Sequence, residues 1–164
     1  MTKMFLGIDP GSVNLGWAVV SNDGRLLSSG AMNPSSTSLV ETVELISDKI
    51  PTVVNGKVTI ERYVSYKGVM NPASEAILML IGALVYESNK RGREVFQLRA
   101  IDWKSNICKH MFKVNGFRNP SKTFDKKFSM AMAEALCGIV PDTDHEADAI
   151  CLAYYTQRNV GEII

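Results

Sequence analysis

Residues 5–20, FLGIDPGSVNLGWAVV, form two apolar runs around one turn, and a single carboxylate, Asp9, breaks the apolar pattern. The run 4–9 reads as one strand and 14–20 as a second, and Asn22-Asp23-Gly24 is a hairpin turn into a third near 25–33. The polar stretch Asn33–Ser38 then caps a helix over about 38–49, with Leu39, Val43 and Ile46 on one face. Val58-Thr59-Ile60 forms a fourth strand that ends at Glu61. Asn71-Pro72 opens the clearest helix, with Glu75 in its first turn and Arg91-Gly92 closing it. Val95–Leu98 is a short fifth strand, and Asp102 is placed as the cap of a helix from Trp103. Residues 112–122 read as an irregular basic loop, and Ser121 as the start of a helix through Leu136, stopped by Gly138 and Pro141. A last helix starts near Asp144 and runs to about Gln157. Hairpin-linked strands followed by alternating strands and helices predict an α/β fold, a five-stranded mixed sheet flanked by helices. At 164 residues the chain is expected to be one domain over 1–164.

Composition narrows the setting. No apolar run reaches the roughly 18 residues of a membrane span, and the longest candidate, Ala76–Val85, leads into polar Glu87-Ser88-Asn89-Lys90-Arg91. The N-terminus MTKMFLGID has no apolar core followed by a small-residue cleavage site. Cys108, Cys137 and Cys151 are odd in number and lack C-x-x-C spacing, which fits reduced thiols. No membrane partner and a cytoplasmic location are expected. The net charge of +1 conceals an asymmetry: residues 90–127 carry eleven Lys/Arg against three acids, and the rest carries seven against fourteen. A basic segment beside an acidic remainder suits a phosphate-binding surface around an acidic site, although a solvated face has the same composition.

A buried carboxylate such as Asp9 is costly unless a cation, a proton or donors compensate it. Glu61 ends another strand, and DTDHEADAICLAYY supplies Asp144, His145, Glu146 and Asp148 near the last helix's start. His145 and Asp148 are three apart and share a helix face. Each residue alone has an ordinary reading. Asp before Pro-Gly forms turns, Glu61 has Arg62 and Lys67 nearby, Asp144 serves as an N-cap, and His145 suits a surface turn. Together they place acids at the ends of two strands and at the start of a helix. Gathered carboxylates repel unless a cation sits between them. Oxygen ligands with one imidazole suit Mg²⁺ or Mn²⁺.

GIDPGSVNLGWAVV, TIERYVS and DHEADAICLA together resemble the RuvC family of Holliday-junction resolvases, over Phe5 to Tyr155. The resemblance implies the RNase H-like fold, with Asp9, Glu61, His145 and Asp148 as the catalytic, metal-binding set. It implies two Mg²⁺ ions per site, with Mn²⁺ as a substitute, branched DNA as partner, a homodimer and paired symmetric nicks. Lys104 and Lys127 match lysines that face the DNA backbone, and Lys126 joins them as a DNA-binding candidate. Two departures resemble viral or phage members: a long link between Lys104 and Lys127, and Val64 where the family stacks a phenylalanine on bases. Either Tyr63 or Tyr66 is then the stacking residue. A bacterial or phage-infected cell is the expected setting. The apolar run AILMLIGALVY makes the helix 72–91 the candidate dimer interface, buried on both sides.

Three rivals share parts of this pattern. Sugar kinases and related ATPases open with a similar D-x-G-[ST] loop, here Asp9-Pro10-Gly11-Ser12, but need a second domain to close over ATP. An RNase H acting on RNA–DNA hybrids is the nearest enzymatic alternative. A non-catalytic nucleic-acid-binding module would use residues 90–127 and leave the acids unexplained.

Overall fold

The computed structural model describes residues 3–51, 55–65, 68 and 70–159. Its elements run β1 (Lys3–Asp9), β2 (Leu15–Ser21), β3 (Leu26–Met32), α1 (Leu39–Ser47), β4 (Asn55–Glu61), α2 (Pro72–Lys90), β5 (Glu94–Leu98), α3 (Ala100–Asn115), α4 (Lys126–Cys137) and α5 (Asp144–Arg158). The five strands form one mixed sheet in the order β3-β2-β1-β4-β5. The β1–β2 and β2–β3 pairs are antiparallel, and β1–β4 and β4–β5 are parallel. Both faces are covered, which is why β1 and β2 read as nearly continuous apolar runs. Leu6, Ile8, Val19, Val58 and Ile60 meet α1 and α2 on one face. Ala18 and Val20 meet α3, α4 and α5 on the other.

Strand alternation then decides where the acids point. Gly7 faces the backbone of α5, at Ala149 and Ala153, so Asp9, two residues on, faces α5 too. Gly7 pairs with Thr59, and Thr59 bonds Thr156 of α5. Glu61 therefore lies on that face as well, one step beyond the Ile8–Ile60 pair and beside Asp9.

Four assignments at helix ends differ from the sequence reading. Arg99, not Asp102, is the N-cap residue of α3, because Asp102 is held by a two-pronged Arg99 ion pair instead of the backbone. That helix also continues to Asn115, where Gly116 ends it in a left-handed conformation (φ 73°). Helix α4 starts after Asp125, whose side chain accepts from Lys127 N and Phe128 N, while the Ser121 hydroxyl donates to Asp125 and accepts from the Thr123 amide. Thr143, not Asp144, caps α5.

Helix α2 is buried on one side only. Leu80, Ile81 and Leu84 enter the core, whereas Leu78, Met79 and Tyr86 are exposed, as are Leu39 and Val40 of the neighbouring α1. No helix among the described residues is long and apolar enough to cross a membrane.

Candidate active site

Asp9 and Glu61 end adjacent parallel strands, and α5 begins directly over them. His145 Nδ1 lies 2.6 Å from Asp9 Oδ2. Asp148, one turn along α5, accepts from Lys104 Nζ at 2.8 Å, and the same ammonium reaches Ser129 Oγ at 3.4 Å. Trp103 Nε1 donates to Glu61 Oε2 at 3.0 Å. Asp9, Pro10, Glu61, Arg62, Tyr63, Val64 and Ala100 line an adjoining groove of about 290 Å³. All four acid and imidazole candidates thus come together at one end of the sheet.

The α5 helix reaches this position because β1 and β2 present glycines, Gly7 and Gly16, where its backbone crosses them. A Cβ on Gly16 would lie 1.9 Å from the His145 carbonyl oxygen, and one on Gly7 2.2 Å from that of Ala149. The helix start is pinned further by Glu146, a buried carboxylate that accepts from Ser29 Oγ and the Asp142 amide. Gly16→Ala is expected to lift the start of α5 off the sheet, at a stability cost of about 1–3 kcal/mol. Thermal denaturation checks this, and an unchanged melting point would contradict the packing.

The charges act on one another. Burial, then the charges of Asp9 and Asp148, raise the Glu61 carboxyl from 4.5 to about 7, against Lys104 and the Trp103 bond. Burial also raises Asp148, partly offset by Lys104, with the Asp9 charge adding to the rise. Burial by itself would lower the Lys104 ammonium, but Asp148, Glu61 and Asp9 raise it overall. The Asp9 hydrogen bond raises His145 against its burial.

This is an anionic cluster held by protein donors. Among the described residues no three His, Cys, Asp or Glu side chains are already gathered around one point as metal ligands. The donor set nonetheless suits a hard divalent cation. Asp148 Oδ1 is buried without a hydrogen-bond partner, and burial, with the Asp9 and Asp148 charges, raises the Glu61 carboxyl.

No protein-family model matches the chain, and no curated protein does. Solved structures do. Thermus thermophilus RuvC in complex with a Holliday junction substrate matches with TM-score 0.67 and 19% identity, over 98% of this chain and 95% of its own. The fold is that of RuvC. A second Thermus thermophilus RuvC structure matches with TM-score 0.60 and 18% identity, over 98% and 95% of the two chains. The yeast mitochondrial Holliday junction resolvase matches with TM-score 0.59 and 14% identity, over 93% of this chain and 77% of its own.

Within this RuvC fold, the candidate DNA-binding residues lie in different environments. Lys104 is buried against Asp148 and belongs to the acid cluster, not to an exposed DNA-facing surface. Lys126 is exposed at the start of α4 and pairs with Asp144 at 3.0 Å, and Lys127 beside it is exposed. Tyr63 lies partly buried against the core under α2, with its hydroxyl 2.6 Å from Ser74 Oγ, and it lines the groove beside Asp9 and Glu61. Tyr66 lies outside the described residues. Val64, at the stacking position, is 67% exposed. Sequence reasoning missed Trp103, Ser129 and Glu146 as members or supports of the site. The available signal was adjacency: Trp103 directly precedes Lys104, and Glu146 lies between His145 and Asp148.

Proposed function

We propose that this chain is a metal-dependent, structure-selective DNA endonuclease that resolves four-way junctions by paired, symmetric nicks. One observation carries the reading: Asp9, Glu61, His145 and Asp148 converge at the carboxyl ends of two neighbouring strands in the RuvC fold. Those four residues would hold Mg²⁺ or Mn²⁺. Bound there, such ions supply Lewis-acid polarisation of a phosphodiester and make water a competent nucleophile.

The chain's own groups do the rest. Lys104 keeps a positive charge beside the acids and limits their repulsion. Lys127, with Arg118 and Lys122 in the preceding loop, offers exposed cations to the DNA backbone. Binding through phosphates weakens steeply with salt and selects shape over sequence.

One site cuts one strand, and resolving a junction takes two opposed cuts. A two-fold homodimer directs two identical sites at symmetry-related strands. The outward face of α2, with Leu78, Met79 and Tyr86 beside Leu39 and Val40 of α1, is the contiguous apolar surface suited to this pairing. A Cβ at Gly82 would meet nothing within 4 Å, so a partner helix has room to approach. Leu80 is only 3% exposed, so a charge there would disrupt the fold, whereas Met79 is 63% exposed.

Met79→Glu is therefore expected to leave the fold intact and to halve the sedimenting mass to that of the 18.1 kDa chain. On a cruciform plasmid the wild type should give linear product, and Met79→Glu mainly nicked circles. A wild-type protein that sediments as a monomer, free and bound to junction DNA, would contradict the dimer.

A further inference from the structure

The first turn of α3 clamps two of the acids through consecutive residues, Trp103 to Glu61 and Lys104 to Asp148. The two clamps differ in kind. The Lys104 ammonium neutralises the charge it holds. The Trp103 indole is neutral, so it orients Glu61 without placing a compensating charge beside it. Trp103 is also completely buried, in a cluster with Ile107, Phe128 and Ala147, so its N–H cannot swing away. Oε2 is thus anchored to a buried element, in a carboxylate that lines the groove together with Asp9.

We propose that Trp103 is a positioning residue of the metal site, which holds Glu61 in its cation-binding orientation by a neutral hydrogen bond from a fully buried indole. A buried indole needs an acceptor of some kind, and a main-chain carbonyl would serve folding equally well. Here the acceptor is a carboxylate already crowded by Asp9 and Asp148. Partners that orient metal ligands typically change metal affinity or activity about 10–100-fold when lost. The inference rests on the nuclease reading of these acids.

The test replaces Trp103 with β-(3-benzothienyl)alanine, which keeps the shape of the ring and puts sulfur in place of N–H. Affinity for Mn²⁺ is measured on DNA-free protein from the EPR signal of free Mn²⁺, with the melting temperature and single-turnover junction cleavage alongside. Mn²⁺ affinity is expected to fall at least about ten-fold, with the melting temperature nearly unchanged. The cleavage rate at saturating protein should fall while the half-saturating protein concentration stays put. The same replacement at Trp17, which sits over Gly30 and under Lys49, should leave Mn²⁺ affinity as it was. If the isostere does not fold, Trp103→Phe makes the same comparison. Equal Mn²⁺ affinity in a folded Trp103 variant and the wild type would overturn the inference. A wild type that binds Mn²⁺ but cuts no DNA would overturn the nuclease reading instead, and the affinity ratio would still decide the role of Trp103.

Discussion

Asp9→Asn is expected to remove junction cleavage, by a factor of at least about 10²–10³, the usual loss when one electrostatic stabiliser of a transition state is deleted. Asn keeps the shape of Asp and can still accept from His145, whose Nδ1 lies 2.6 Å from the wild-type carboxylate. What it loses is a charge that is only 7% exposed and that helps raise Glu61. Removing that charge lessens repulsion among the acids and weakens the His145 pair, two opposed effects that should leave the protein folded. Junction binding depends on phosphate contacts elsewhere and should persist. Glu61→Gln and Asp148→Asn are expected to behave alike. Cleavage assays in Mg²⁺ beside gel-shift titrations separate the two effects, and near-normal cutting by Asp9→Asn would exclude Asp9 from the chemistry.

The metal-free protein should lose stability as pH rises through neutrality. Burial and the Asp9 and Asp148 charges raise Glu61 from 4.5 to about 7 in the folded chain. Between those values the folded state holds a proton that the unfolded state has released. The stabilisation is complete below pH 4.5 and is lost as pH climbs through 7, about 3 kcal/mol from Glu61 alone. Asp148 and His145 are raised as well, and each contributes in the same direction. A divalent cation binds the deprotonated cluster and competes with those protons. Melting temperatures should therefore fall between pH 5 and pH 8 without metal, and Mg²⁺ or Mn²⁺ should restore more at pH 8 than at pH 5. Thermal shift assays at both values check this, and an equal metal increment at both would contradict the coupling.

The strand pattern was legible in the sequence because both faces of β1 and β2 are covered, which leaves apolar runs broken only where the chain needs a charge. That break located Asp9, and the end of β4 located Glu61 in the same way. Placing the two side by side took the parallel β1–β4 register, which follows from long-range pairing and leaves no local mark. The starts of α3 and α4 were misread for a related reason. Asp102 and Ser121 are both competent caps, but Asp102 is taken by Arg99 and Ser121 donates to Asp125. The family resemblance gives Lys104 an outward role because it carries residue types and not burial. The packing of α3 against α5 turns Lys104 inward to Asp148, and Ser74 of α2 holds the Tyr63 hydroxyl. Trp103 could not be found from pattern alone, since a tryptophan on an apolar helix face ordinarily signals core.

The most direct measurement is cleavage by the wild-type protein, in Mg²⁺, of three end-labelled substrates at equal concentration: a four-way DNA junction, a linear DNA duplex and an RNA–DNA hybrid. Paired nicks at symmetric positions of the junction, with the duplex and hybrid intact and no product in EDTA, are expected. Cleavage of the hybrid in preference to the junction, or of all three alike, would contradict junction resolution.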